Sequence, residues 1–154
     1  MISIQKSLEH LAWSDDRIIE KLEEAQGKIF DLSLASGERT IGQMVQHIVD
    51  GAEWYRYLLT GEKGTNLNVP ASREEMATLR QHLALVNAAV LAEADKEDEL
   101  LSFDEGGAKD LRSTILAQAV LHSAEHKAQI VSTLTVHGVT SINLDNYDIW
   151  NFPG

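Results

Sequence analysis

Apolar residues recur along this chain at three- and four-residue steps in four separate stretches, and that spacing most constrains the fold. A helix puts residues three and four apart on one face, whereas a strand would need strict alternation. The first stretch runs from about Ile4 to Gln26 and carries Leu8, Leu11, Ala12, Ile18, Ile19 and Leu22, with Gly27 as its stop. The second runs from about Thr40 to Leu59 with Ile41, Met44, Val45, Ile48, Ala52, Tyr55, Leu58 and Leu59. Thr40 fits an N-cap and Gly61 a C-terminal glycine stop. The third begins at Ser72, where Ser72-Arg73-Glu74-Glu75 has the form of a capping box, and continues through Leu79, Leu83 and Val90 to about Glu93. The fourth spans about Leu111 to His137, with Ile115, Leu116, Ala119, Ile130 and Leu134, and Gly138 ends it.

Four such helices bury their apolar stripes most simply as an all-α four-helix bundle, one domain covering residues 1–154. Residues 61–71 read as a loop, and residues 94–110 as an acidic, solvated connection with a short strand at Glu99 to Phe103 and Gly106-Gly107 near its end. These connections are longer than those of tight helical hairpins, so a simple up-down order is not assured. The tail, Val139 to Gly154, is irregular but contains Ile142, Leu144, Tyr147, Ile149, Trp150 and Phe152. So apolar a tail is expected to pack onto the body or onto a second subunit.

Charge and composition narrow the chemistry. Lys and Arg number 13 against 24 Asp and Glu, a formal charge of −11, which disfavours nucleic acid or an anionic membrane surface as the main partner. No apolar run approaches the roughly 18 residues of a membrane span, and Met1 to Lys6 leads straight into a charged amphipathic stretch. A cytoplasmic protein is the expectation. With no cysteine there is no disulfide, no thiolate zinc site and no thiol nucleophile. Carboxylates, hydroxyls and six histidines remain.

The histidines at 122 and 126 carry the main signal. In His122-Ser-Ala-Glu125-His126, the two imidazoles stand about 40° apart on a helix and can reach one ion. Ile115, Ala119, Ile130 and Thr133 share their stripe, so the pair faces the bundle interior. Two readings are open: metal ligands, or core histidines bonded to carboxylates and hydroxyls. His47, at the edge of the second helix's apolar face, is either a third ligand or a boundary histidine; Gly51 one turn on leaves room for an approaching group. Three His on one ion is the pattern of an open catalytic site. His10 could line a pocket beside Trp13 and Ser14, His82 falls in a polar part of the third helix, and His137 sits in a terminal turn where the helix dipole favours it. Glu125 completes H-x-x-E-H, a protease-like string, but the only acidic residues downstream are Asp145 and Asp148 in the tail. Glu125 therefore reads as a helix-surface residue or a partner behind a ligand. Trp13, His10, Asp50, Trp54 and Tyr55 are candidate pocket residues by their position about one turn from a ligand or on a facing helix.

Taken together, Leu11-Ala12-Trp13 with Arg17, Thr40-Ile41-Gly42-Gln43-Met44-Val45-Gln46-His47-Ile48, and His122-Ser-Ala-Glu-His126-Lys-Ala-Gln129-Ile130 resemble the DinB/YfiT-like superfamily of four-helix-bundle metalloproteins over nearly the whole chain. The resemblance implies one divalent metal ion, nickel or zinc and less often manganese, on His47, His122 and His126. It also implies a homodimer. Its activities include transferases and isomerases that use an external low-molecular-weight thiol, and metal-dependent hydrolases that activate water. A non-catalytic, stress-associated metal-binding dimer is the alternative. Superfamily members often carry Arg-Gly-Gln after the second His of the pair; here the segment is Lys127-Ala128-Gln129, which alters the space beside the helix.

Overall fold

The structure is a computed structural model, and it describes residues 1–25, 29–102 and 109–154. Four helices account for most of it: α1 (Ile4–Glu24), α2 (Ile41–Thr60), α3 (Arg73–Leu91) and α4 (Arg112–Val136). Three helix starts are set by a side chain that takes up an otherwise orphaned N–H. Ser3 accepts from Lys6 N, and Ser72 accepts from Glu75 N. Thr40 forms a full capping box with Gln43, each side chain bonded to the other's backbone. Gly61 closes α2 at φ +76°, a left-handed conformation that costs a residue with a Cβ and that glycine adopts freely. The stop expected at Gly27 and the Gly106-Gly107 turn lie outside the described residues, as does Phe103.

α1 packs against α3 and α4, and α2 packs against the same two helices. The helices therefore follow the order α1, α3, α2, α4 around the bundle, and sequential helices α1 and α2 sit across a diagonal. That arrangement needs the long connections seen in the sequence. A two-stranded antiparallel hairpin, β1 (Leu100–Ser102) with β2 (Lys109–Leu111), leads into α4 with Leu100 opposite Leu111. The buried Arg112 guanidinium fastens this hairpin to the end of α3 through Glu93, Glu99 (2.6 Å) and the Glu97 carbonyl (3.0 Å).

The core falls into two apolar halves. One gathers Ile18, Leu22, Val45, Ile48, Met76, Leu83, Ile130 and Leu134. The other gathers Leu8, Leu11, Tyr55, Leu59, Val86, Val90, Ile115 and Leu116. Between Leu11 and Ile18 on α1, Leu83 and Val90 on α3, and Ala119 and Ile130 on α4, buried polar side chains interrupt the apolar ones: Asp15, Asn87, Ser123, His126 and Lys127. The tail packs back as expected, with Ile142 buried in the first half and Tyr147 against it, while Trp150 remains exposed. Among the described residues no helix is long and apolar enough to cross a membrane.

Candidate metal centre

His47 from α2 meets His122 and His126 from α4 in the polar layer. One ring nitrogen of each lies within 4.8 Å of the others, so the three form a group that could hold a metal ion. The rings stand edge-to-face, with centroids 4.5 to 5.0 Å apart. His47 Nε2 and His122 Nε2 face each other at 3.3 Å. Two nitrogens about 2.05 Å from one ion at a tetrahedral angle would stand about 3.3 Å apart, so this spacing fits a shared ion. The third ring is oriented from behind. His126 Nδ1 lies 2.7 Å from Gln129 Oε1. An amide oxygen only accepts, so Nδ1 carries the hydrogen and Nε2 keeps its lone pair, the tautomer that a ligand needs.

Electrostatics favour the same chemistry. Burial lowers the His122 imidazole to about 4, helped by His126 and His47. Burial, then Arg39 and His126, also lower His47. Both rings are thus neutral donors at neutral pH, which a metal requires. Glu125 is exposed and acts on the pair only as a nearby charge that opposes these shifts. Among the described residues the three-His group includes no carboxylate, and the protease-like reading of H-x-x-E-H has no support.

Gly51 explains how two helices bring these rings so close. A Cβ there would stand 2.8 Å from His122 Nδ1 and closer still to its Cε1, nearer than side chains pack. Alanine in mid-helix is otherwise worth up to about 1 kcal/mol over glycine. Gly51→Ala should therefore leave the fold intact, or slightly steadier by thermal melting, while it displaces His122. Metal binding measured by calorimetry is expected to weaken at least tenfold, about 1.4 kcal/mol.

A buried network fixes α4 beside the pair. Asp15, 2% exposed, accepts from Ser123 Oγ (2.5 Å), Lys127 Nζ (2.9 Å) and Asn87 Nδ2 (3.1 Å). Lys127 Nζ also donates to Ser14 Oγ at 2.5 Å. Ser123 and Lys127 each follow a cluster histidine by one residue. Holding both of them on α1 sets the rotation of α4 that turns His122 and His126 toward α2. Asp15, Asn87, Ser123 and His122 border one internal void of about 10 Å³. The sequence carried a signal for this network, since Asp15 and Ser123 fall in phase with the apolar stripes of their helices.

The other histidines serve the scaffold. His10 Nε2 donates to the Tyr147 carbonyl at 2.6 Å, and the rings of His10 and Trp13 pack on Phe152. These two candidate pocket residues thus hold the tail. His137 Nε2 donates to the Ser33 carbonyl at 2.9 Å. His82 Nε2 donates to Glu53 Oε1 at 2.6 Å. Glu53 also accepts from the Thr65 N–H (2.9 Å) and hydroxyl (2.8 Å), which ties the 61–71 loop to α2. Burial pushes the Glu53 carboxyl up, but Thr65 and His82 outweigh it and the net shift is downward. A depressed carboxylate stabilises the fold above its unfolded value and loses that contribution as pH falls through its folded value. Glu53→Gln should accordingly flatten the loss of stability below about pH 4.5, read as melting temperature against pH.

The remaining candidates border the cluster. Tyr55 is buried with its ring 5.6 Å from His122. Burial raises its phenol, so the hydroxyl stays protonated at neutral pH. A hollow of about 410 Å³ opens beside His47, lined by Arg39, Gln43, Gln46 and Asp50. Partial desolvation and the Glu53 carboxylate raise Asp50. Trp54 is half exposed and stacks on Tyr57.

The DinB family model matches residues 1–151, almost the whole chain. The chain belongs to the DinB family. No curated protein and no solved structure matches it. As a DinB-family bundle it places the α2 histidine and the α4 pair in one cluster. Lys127 is buried on Asp15 and Ser14, whereas Ala128 is exposed, so alanine at that position takes no space from the core.

Proposed function

We propose that this DinB-family protein holds one divalent metal ion, nickel or zinc first and manganese second, on His47, His122 and His126. We further propose that it acts as a metal-dependent enzyme on a small molecule, through an external low-molecular-weight thiol or through water. The observation that carries this reading is the three-imidazole cluster, with its nitrogens within 4.8 Å, beside an open hollow at His47. An ion there would lower the pKa of a thiol or water toward neutrality and so supply a nucleophile that a cysteine-free chain lacks. The chain's own groups prepare that chemistry. Gln129 fixes the His126 tautomer, Gly51 admits His122, and Asp15 holds the rotation of α4. The hollow lets a substrate reach His47.

The exposed Leu85 and Leu121 offer apolar surface for the homodimer that we include in this reading. Screening metal-loaded protein with small thiols plus electrophiles, and with activated esters and amides, tests the activity. The proposal expects turnover that chelation abolishes. Absence of turnover, joined to a collapse of thermal stability on chelation, would instead assign the ion a structural role.

A further inference from the structure

The void beside His122 has a size and a lining that suit one particular occupant. Its volume of about 10 Å³ is at the size of a single water-sized sphere, since a buried water needs about 10–15 Å³ on that measure. Every helix of the bundle brings a polar side chain to it: Asp15 from α1, Tyr55 from α2, Asn87 from α3, and His122 and Ser123 from α4. Apolar cavities stay dry, whereas water settles where two to four polar groups converge.

Three of these groups have hydrogen-bonding capacity to spare. His122 turns Nε2 to His47 at 3.3 Å, which leaves Nδ1, and Nδ1 meets no hydrogen-bond partner among the described residues. His126 differs, because Gln129 Oε1 takes its Nδ1–H. Asn87 donates from Nδ2 to Asp15 Oδ2, but its own Oδ1 accepts from no described residue. Asp15 Oδ2 receives that one bond, while Oδ1 receives those from Ser123 and Lys127.

These atoms are also within reach of water. Among the described residues, the one buried side-chain nitrogen or oxygen without a partner is Arg56 Nε. His122 Nδ1 and Asn87 Oδ1 are therefore open to a water-sized sphere, although Asn87 as a residue is only 5% exposed. Asp15 lies close enough for its charge to act on the His122 ring.

We infer that one ordered water occupies this void and joins His122 to Asp15. His122 Nδ1–H donates to the water oxygen, and the two water hydrogens go to Asp15 Oδ2 and Asn87 Oδ1. Asp15 is thereby a positioning residue for His122. Through the water it holds the tautomer whose Nε2 lone pair faces the other two rings, as Gln129 does for His126. The inference deepens the reading of His122 as a metal ligand and rests on that reading for its purpose. The hydrogen-bond pattern itself can be read without metal.

The test is a long-range ¹H–¹⁵N spectrum of histidine-labelled protein at neutral pH with no metal added, where the His122 ring is neutral. The signals lost in His122→Ala identify the ring. The inference expects the Nδ1–H tautomer, opposite to the Nε2–H form that imidazole favours in water, and cross-relaxation of that proton with a long-lived water. The double substitution Asp15→Leu, Lys127→Met removes the acceptor without stranding a charge. It should return the ring mainly to Nε2–H and abolish the water contact. Ser123→Ala loosens α4 from Asp15 but leaves the three water partners, so both signals should persist. An Nε2–H ring in the parent, or an Nδ1–H proton without a water contact, would overturn the inference, and neither needs a variant. So would signals unchanged in the folded double variant, or lost in Ser123→Ala. Adding zinc to the same samples separates the two readings. One ion per chain without the tautomer and water signals rejects the bridge alone, and those signals without metal uptake reject the metal centre alone.

Discussion

Alanine at His122 is expected to cut affinity for a divalent ion at least about 100-fold, and alanine at His47 or His126 should do the same. Even partners behind a ligand cost 10- to 100-fold when lost, and removing a donor outright costs more. Each ring supplies one of the three nitrogens in the group, so its loss leaves only two. His82→Ala is the matched control. It removes a histidine of the same chain, but one engaged with Glu53 and Thr65, and metal affinity should not change. Calorimetric titration of the four variants, each checked for helix content by circular dichroism, distinguishes the outcomes. Equal affinity in His122→Ala and the parent would mean that the imidazoles are ordinary interior groups.

The largest effect on stability is expected at Asp15. Asp15→Ala strands the Lys127 ammonium, which is 7% exposed, with only Ser14 Oγ beside it. Breaking one partner of a buried pair costs about 3 to 5 kcal/mol, because the surviving charge has lost both water and its counter-ion. Ser123 and Asn87 lose an acceptor as well. Urea denaturation should report that loss. The double variant Asp15→Ala, Lys127→Met removes the stranded charge and should recover much of it, since apolar replacement of a buried pair is often close to neutral. A single-variant loss below about 1 kcal/mol would show that the network does not brace the bundle. Metal binding should also weaken in Asp15→Ala, because Ser123 and Lys127 anchor the turn of α4 that bears His122 and His126.

Much of this could be read from the chain before any coordinates. The four apolar stripes gave the helices, and Thr40 and Ser72 gave two of their starts to the residue, because capping is local chemistry. The histidine cluster was legible for a similar reason. His122 and His126 are neighbours on one helix, and their phase with Ile115 and Ile130 turned them inward. What was not legible depends on contacts between distant segments. The order α1, α3, α2, α4 follows from which helix faces pack together, the long connections only permit it, and nothing local encodes it. His10 on the Tyr147 carbonyl and His82 on Glu53 are separated by 137 and 29 residues, so their neighbours in sequence say nothing of their partners. Asp15 lies between. Its phase with Leu8, Leu11, Ile18 and Leu22 marked a polar residue on a core face, but Asn87, Ser123 and Lys127 come from two other helices.

The central claim is that the three histidines hold one ion, and metal stoichiometry tests it most directly. Protein purified without a histidine tag would be reloaded with nickel, zinc or manganese, desalted and measured by elemental mass spectrometry. The account predicts about one ion per chain with at least one of the three metals. Substoichiometric metal with all three, in protein that is folded by circular dichroism, would contradict it.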